Sequence, residues 1–338
     1  MNTFPFFTVL VPLYNGSNFL EACLESILNQ KNVNFECLIC DDGSEDDSYE
    51  IVKKKIDGDS RFKLFKIKHS GIAVVRNVLL ERARGKYIVW IDPDDEVEDG
   101  YFQELYDELT KKSWDVVTFN FASVDNAMNE ENSFRLPFAN GKVEKLDIFK
   151  YLAKDWPFPS QLWNKVIKRS LYRGISFSPN SVILEDFSVL PQILLKADTF
   201  LHIDKSYYRY KRNPASLLNS KTVDKEICQL RIRRDRIIFF KENYPVFINQ
   251  SISSWLISYF RTLCLVNTLD LDKAHKRQFS MLLSREFIET VKLVKGSKLD
   301  ARNRFFLTIN NNFFIFLIVS LYPFLIKNKK LIYKFLLP

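Results

Sequence analysis

The apolar positions of the first 120 residues switch repeatedly between two periods. Short apolar runs at Thr8-Val9-Leu10-Val11-Pro12-Leu13, Glu36 to Cys40 and Lys86-Tyr87-Ile88-Val89-Trp90-Ile91 read as buried strands, and Phe62 to Ile67 as an alternating one. Between them, Phe19, Leu20, Cys23, Leu24, Ile27 and Leu28 recur at helical intervals behind Asn18-x-x-Glu21, which has the spacing of a capping box. Ser44 is placed to cap a helix running through Tyr49, Ile51 and Val52. Ala73 to Ala83 and Gly100 to Leu109 read as helices, and Asp115 to Phe121 as another strand. This β-α-β-α order predicts a mostly parallel, doubly wound sheet with helices on both faces.

Beyond residue 140 the pattern loosens. Tyr151 to Arg173 mixes aromatic and basic residues around short helical stretches, Ser206 to Ser216 reads as a strand and loop, and Val223 to Leu299 is helical without a strand signal. Soft boundaries near 220 and 300 divide the chain into an α/β domain (1–220), a helical domain (221–300) and a tail (301–338). No charged residue lies between Phe305 and Ile326. The strongest apolar part, Phe313 to Ile326, falls short of the roughly 20 residues that span a bilayer. Lys327, Lys329, Lys330 and Lys334 follow, interleaved with Leu331, Ile332, Tyr333, Phe335 and Leu336. That mixture suits an interfacial anchor on an anionic leaflet; a buried helical hairpin and a single span from near Phe305 are the other readings.

Composition adds an asymmetry. With 46% hydrophobic and 27% charged residues among 338, the chain is neither disordered nor collagen-like. Its net charge of +8 hides two opposite halves. Residues 1–204 carry 24 basic and 32 acidic side chains, and residues 205–338 carry 25 and 9. Such a split points to a polyanionic partner, either nucleic acid or an anionic membrane. No helix-turn-helix or regular basic-aromatic strand pattern supports nucleic acid. Arg231, Arg233, Arg234 and Arg236 sit in a helical stretch that reads either as a solvated face or as a contact for lipid phosphates. The five cysteines are an odd number and fit a reducing cytosol; Cys37 and Cys40 have Cys-x-x-Cys spacing but no second pair, and read as core residues. The apolar run from Phe4 to Tyr14 lacks the basic flank of a signal peptide and reads as a first strand.

Candidate chemistry gathers where open parallel sheets bind ligands, beyond the carboxyl ends of the strands. Strand one ends in Pro12-Leu13-Tyr14-Asn15, strand two in Asp41-Asp42-Gly43-Ser44, and the strand from Tyr87 in Asp92-Pro93-Asp94-Asp95-Glu96. Five aspartates at two strand ends make a negative field that a divalent cation relieves, and hard oxygen donors favour Mg²⁺ or Mn²⁺. Such a metal is a seat for a diphosphate. Helix N-terminal capping explains Ser44 to Asp47 equally well, but not Asp92 to Asp95.

Four pieces in order, Val11-Pro12-Leu13-Tyr14-Asn15, Asp41-Asp42-Gly43-Ser44, Gly71-Ile72-Ala73-Val74-Val75-Arg76-Asn77 and Asp92-Pro93-Asp94-Asp95, resemble glycosyltransferase family 2 from about residue 7 to about residue 110. Leu162-Trp163-Asn164-Lys165, Leu184-Glu185-Asp186 and Tyr208-Arg209-Tyr210 with Ser216 are similar to its bacterial surface-polysaccharide branch (O-antigen, capsule, lipooligosaccharide). The resemblance covers about two thirds of the chain and ends near residue 220. It implies a GT-A fold, Rossmann-like with a doubly wound, mostly parallel sheet and a C-terminal helical extension. It also implies an inverting transfer from a nucleotide-sugar.

Carried over, the resemblance implies that Pro12 and Tyr14 line the nucleotide pocket. Asp42 would accept from uracil N3, making the donor a UDP-sugar. Arg76 would approach the base or diphosphate, and Asn77 would orient that loop. Asp92 would contact the ribose or the metal, Asp94 would ligate Mn²⁺ or Mg²⁺ directly, and Asp95 would support the metal or donor sugar. Asp186 would be the general base, with Glu185 the fallback, and Trp163 an acceptor platform suited to stacking on sugar. Val74 and Val75 stand where the family has small residues, and His69 where Asn is common; His69 reads as a phosphate contact or a solvated bystander. UDP-glucose and UDP-galactose are favoured, with an N-acetylhexosamine donor open. The implied acceptor is a saccharide, lipid-linked on polyprenyl diphosphate, at the cytoplasmic face of the inner membrane, with the protein peripheral. Two other classes remain. A nucleotidyltransferase needs a Gly-rich, Lys-containing phosphate loop, whereas Val9 to Leu20 has one Gly and no Lys. An inactive scaffold is disfavoured by intact Asp92, Asp94, Asp95 and Asp186.

Overall fold

The apolar run near the N-terminus forms β1 (Phe7–Leu13), buried at every position as a strand covered on both faces must be. The computed structural model describes residues 4–125, 130–155, 158, 160–179, 184–211, 222–269 and 271–308. After β1, α1 (Leu20–Leu28), β2 (Phe35–Asp41), α2 (Ser48–Lys55), β3 (Phe62–Lys66), α3 (Ile72–Arg82) and β4 (Tyr87–Trp90) alternate strictly. β3, β2, β1 and β4 lie in that order, all parallel. Strand order reverses beside β1, which opens a crevice at the carboxyl ends of β1, β2 and β4.

β5 (Glu96–Val97), α4 (Tyr101–Lys111), β6 (Val116–Val124), β7 (Glu130–Phe134), β8 (Gly141–Val143), α5 (Lys145–Leu152), β9 (Lys165–Lys168), α6 (Glu185–Lys196) and β10 (Phe200–Lys211) follow. They continue the sheet as β4-β9-β6-β10-β5, with β7 on β6 and β8 on β10. β10 runs parallel to β6, while β9 is antiparallel to both β4 and β6. The α/β class is the expected one. β9 was not legible, because four residues are too few for a period to register. The register of β10 against β6 shifts between Ile203 and Tyr208, and such bulges re-aim the side chains that follow. Two expected caps are absent: α1 and α2 have no side-chain cap bond, and Ser44 instead bonds Asp41.

The chain divides into two compact units, residues 1–148 with 157–219, and residues 149–156 with 220–338. The second holds α7 (Val223–Asn243), α8 (Ile248–Thr268), α9 (Lys273–Val294) and α10 (Ala301–Thr308). Its core includes Leu230, Ile237, Ile252, Trp255, Tyr259 and Phe287. Residues 149–156 join it through Asp155, whose buried carboxylate accepts from Arg233 Nε at 3.1 Å and also meets Arg236 and Ser254. Arg231 and Arg234 bind Glu286 at 2.8 and 2.7 Å, and Arg234 also binds Glu289 at 3.1 Å. This corrects the lipid-phosphate reading of the four arginines, which are spent on carboxylates within their own unit. Cys37 and Cys40 are free and buried. Ser216 and residues 309–338, including Phe313 to Ile326 and the lysines after it, lie outside the described residues. Among the described residues no helix is long and apolar enough to cross a membrane.

In the first unit, buried Glu36 knits β1, β2 and the turn before β4 together. It accepts from Thr8 Oγ1 and Arg84 N, each at 2.8 Å, and from the Arg84 guanidinium. Burial opposes its charge, yet these donors hold its pKa below the ordinary value. Gly85 N donates to the same Thr8 hydroxyl at 2.7 Å. A Cβ on Gly85 would lie 2.5 Å from Thr8 N and 2.7 Å from Phe7 C, both backbone atoms. Gly85→Ala is therefore expected to cost about 1–3 kcal/mol through overpacking. An unchanged urea midpoint would show that β1 and this turn are less tightly apposed.

Candidate active site

The carboxyl ends of β1 and β2 present Tyr14 and Asp42. Tyr14 is exposed, and its ring stacks on His69 at 4.3 Å between centroids. Asp42 is buried and accepts from Ser70 N at 2.8 Å and Gly71 N at 2.9 Å. His69 Nδ1 lies 3.0 Å from its carboxylate, so the half-exposed His69 is packed into the Tyr14–Asp42 corner. A Cβ at Gly43, whose φ is +74°, would lie 2.8 Å from His69 N, so only glycine lets the two loops close there. Pro12 is buried in β1 opposite Cys40. Asp41 holds its own loop, through Ser44 and through Lys66 Nζ at 3.3 Å.

Arg76, on α3 and only 4% exposed, is the hub of the site. Its Nε donates to Glu185 Oε1 at 2.9 Å and lies 3.7 Å from Asp186 Oδ1, while Nη2 lies 3.5 Å from Asp92 Oδ1. Its guanidinium sits over the Trp90 ring, 4.7 Å from the centroid, and Trp90 Nε1 donates to Tyr172 Oη. Glu185 and Asp186 form the first turn of α6, where the helix dipole favours carboxylates. Leu184, just before them, has φ +56°. Asp186 Oδ2 accepts from Leu162 N at 3.2 Å. Desolvation, with the neighbouring negative charges, outweighs Arg76 and raises Asp92 to about 6 and Asp186 to about 7. Burial also lowers Lys165, which feels the charge of Asp186, to about 7. Its Nζ donates to Gln161 O at 2.7 Å and Asn164 Oδ1 at 2.6 Å.

The loop after β4 is tied to β10. Tyr208 Oη accepts from Asp92 N at 3.0 Å and donates to Asp95 Oδ2 at 2.7 Å, while Lys211 N donates to Asp95 Oδ1 at 2.8 Å. Asp95 is 1% exposed with both oxygens engaged. It was expected to support a metal or donor sugar; here it anchors the loop. Trp163 needs a larger correction. It is 4% exposed, stacked on Tyr208 at 4.5 Å and Tyr210 at 5.7 Å, with Phe121 against its edge. A ring enclosed on this scale is core, and offers no open face to an acceptor sugar. Asn77 exchanges two 2.8 Å bonds with the backbone of Phe177, so it pins that loop rather than its own. Sequence reasoning assigned no role to Tyr208 or Lys165, although both stood in segments it had singled out.

Among the described residues no group of three or more His, Cys, Asp or Glu is disposed to enclose a metal ion. Asp92 and Asp94 remain, the charge of Asp94 pressing on Asp92. Two carboxylates fit an ion of the Mg²⁺ type, which is commonly held by one or two carboxylates, waters and substrate phosphates.

A family model described as "Glycosyl transferase family 2" matches residues 8–190, which contain every one of these groups except Tyr208, Tyr210 and Lys211. The chain belongs to glycosyltransferase family 2. It is therefore an enzyme of glycosyl transfer. "Glycosyltransferase GlyG" of Streptococcus pneumoniae is 31% identical over 225 residues, covering 63% of this chain and 73% of that protein. The "Cholesterol galactosyltransferase" of Borreliella burgdorferi is 28% identical over 225 residues, covering 64% of this chain and 63% of its own length. Among solved structures, S. aureus TarS 1-349 in complex with UDP-GlcNAc superposes with a TM-score of 0.68 at 20% identity, over 85% of this chain and 81% of that one. That likeness carries the GT-A fold alone.

In this family 2 glycosyltransferase, Arg76 is the counter-charge to three carboxylates. Arg76→Met is expected to cost about 3–5 kcal/mol at pH 8, the scale of breaking a buried ion pair. The sign of the pH dependence follows from linkage. Asp92 and Asp186 already titrate above their unfolded values, so their charging weakens the fold as pH rises. Without Arg76 this penalty grows, and the loss should be smaller at pH 5 than at pH 8. Equal losses at both pH values in urea titrations would show that Arg76 does not balance these groups.

Proposed function

We propose that the protein moves a hexose from a UDP-sugar, UDP-glucose or UDP-galactose, in β linkage onto a saccharide acceptor carried by polyprenyl diphosphate. The product would be a unit of bacterial O-antigen or capsular polysaccharide. The name of the Borreliella relative favours galactose as the sugar.

The observation that carries the reading is the state of the paired carboxylates. Glu185 is occupied by Arg76 Nε, whereas Asp186 Oδ1, buried at the same guanidinium, has no hydrogen-bond partner among the described residues. Asp186 thus keeps an acceptor for a substrate proton, and its pKa of about 7 suits a general base working near neutrality. Glu185, the other candidate, orients Arg76. On the donor side Tyr14 would stack on uracil, and a remaining lone pair of Asp42 would accept from its N3–H. Asp92 and Asp94 would hold Mn²⁺ or Mg²⁺ against the diphosphate. Bound there, the metal would neutralise the charge that develops on the leaving diphosphate.

In the transfer step the acceptor hydroxyl oxygen bonds to the anomeric carbon as the bond to the diphosphate oxygen breaks. The hydroxyl proton passes to Asp186, and the bonding pair leaves with UDP. Attack from the face opposite the leaving group inverts the centre, so an α-linked donor yields a β-linked product. The tail, with its apolar core and four lysines, would hold the enzyme peripherally at the cytoplasmic face of the inner membrane.

Asp186→Asn is expected to lower kcat by about 10²–10⁴-fold, the scale of general-base catalysis, with the donor KM little changed. Wild-type kcat/KM should fall as pH drops through about 7, where Asp186 takes up its proton. Near-normal turnover by the variant, or an acid limb at an ordinary carboxylate value, would remove Asp186 from the role. Deleting residues 309–338 should move the protein from the membrane pellet to the supernatant; an unchanged pellet fraction would acquit the tail.

A further inference from the structure

The four arginines of α7 are consumed by carboxylates of their own unit, which leaves open where the remaining positive charge of the second unit is presented. α9 presents it. Its inner side buries Leu283, Glu286, Phe287, Thr290 and Val294. The opposite side carries Arg277, Met281, Arg285, Ile288 and Lys292, at steps of four, four, three and four, which align as one stripe on a helix. These side chains line a shallow open trough of about 500 Å³. Met281 is 65% and Ile288 51% exposed, two large apolar side chains set between cations on one side of the helix. Arg285 pairs at 3.2 Å with Glu289, a carboxylate that lines the same trough and also feels the charge of Lys292.

We propose that this outer stripe of α9 is a membrane-docking face, in which Arg277, Arg285 and Lys292 meet the phosphates of an anionic leaflet while Met281 and Ile288 enter the interface between them. The inference rests on the membrane-surface reading above and adds a second contact, on α9, to that of the tail. Alternating cations and exposed apolar groups on one side of a helix are what an interfacial helix requires. Charge decides among occupants. A second copy docking through the same stripe would set like charges against like. The chain's own residues 309–338 contain lysines and no acidic residue, so they are repelled by the stripe as well. Stripe and tail thus share a sign and are drawn to the same anionic surface.

The test uses the full-length protein and sedimentation with vesicles of phosphatidylglycerol and phosphatidylethanolamine, against phosphatidylcholine vesicles as reference. Arg277→Glu/Lys292→Glu should weaken partitioning into the anionic vesicles about ten-fold or more, given the strength of lysine and arginine contacts at such surfaces. Met281→Asp/Ile288→Asp should weaken it comparably, and 0.5 M salt should weaken the wild type through screening. Lys53→Glu/Lys54→Glu on α2 makes the same change in net charge in the other unit and should leave partitioning unaltered. All of these side chains lie on the surface, so thermal midpoints and transfer to a soluble acceptor should stay at wild-type values. If the wild type ignores anionic vesicles, both this proposal and the membrane reading fall. If it binds and the α9 variants bind equally, only the α9 face falls. The face also falls if the variants change the oligomeric state instead of vesicle binding.

Discussion

One buried guanidinium sets the terms for the catalytic centre. Arg76 reaches Asp92 from the loop after β4 and both Glu185 and Asp186 from the start of α6, segments about ninety residues apart in the chain. Three carboxylates in a desolvated cluster repel one another, and burial, with the neighbouring negative charges, raises Asp92 and Asp186 above the ordinary carboxylate range. Lysine would supply the charge but not the shape. Only a planar fork can donate to Glu185 and set its edge beside Asp92 and Asp186 while its face lies on the Trp90 ring. Trp90 is the last residue of β4 and is held in turn by Tyr172. The centre of charge is thereby fixed to the sheet itself.

A second constraint holds the aspartate loop from the opposite side. Tyr208 Oη both accepts from Asp92 N and donates to Asp95, so one phenol orients both ends of the Asp92–Asp95 run. That hydroxyl arrives there because β10 is irregular just before it, and the Tyr208 ring is fixed by stacking on Trp163. The segments containing Trp163 and Tyr208, about forty residues apart, are therefore two halves of one aromatic wedge behind the acidic loop. Their presence needs no sugar to explain it: they stiffen the loop on which Asp92 and Asp94 are carried. Preorganisation of this kind lets charged groups act without reorganising during reaction.

Much of this was legible in the sequence, for definite reasons. Strong periods over β1, β2 and β4 and the aspartates at their ends revealed the α/β class and the acidic side of the crevice. Asp95 and Trp163 were misread because burial is a tertiary property. An aspartate in an acidic run and a tryptophan in a polar motif look available until Tyr208 and Lys211 claim the oxygens and Tyr208 and Tyr210 cover the ring. The resemblance ranks Asp186 ahead of Glu185, but the physical difference between the adjacent carboxylates, which one the guanidinium engages, is tertiary and has no sequence signal. The return of residues 149–156 to the helical unit had no local signal at all; it depends on Asp155 meeting arginines some eighty residues later.

The charge asymmetry shows the same limit in another form. The difference between the two parts of the chain is real, yet a count of side chains does not separate charge used inside a fold from charge presented to a partner. On α7, Arg231 and Arg234 are consumed by Glu286 and Glu289, and Arg233 and Arg236 by Asp155. These pairs are partly or wholly withdrawn from water, so their long-range field is largely cancelled at the source. What remains to act at a distance is the charge on outward surfaces, where apolar neighbours decide whether it merely solvates the protein or fits an interface. A cationic helix with polar neighbours on every side would do only the former. Met281 and Ile288, exposed between the cations of α9, are what make the latter the stronger reading there.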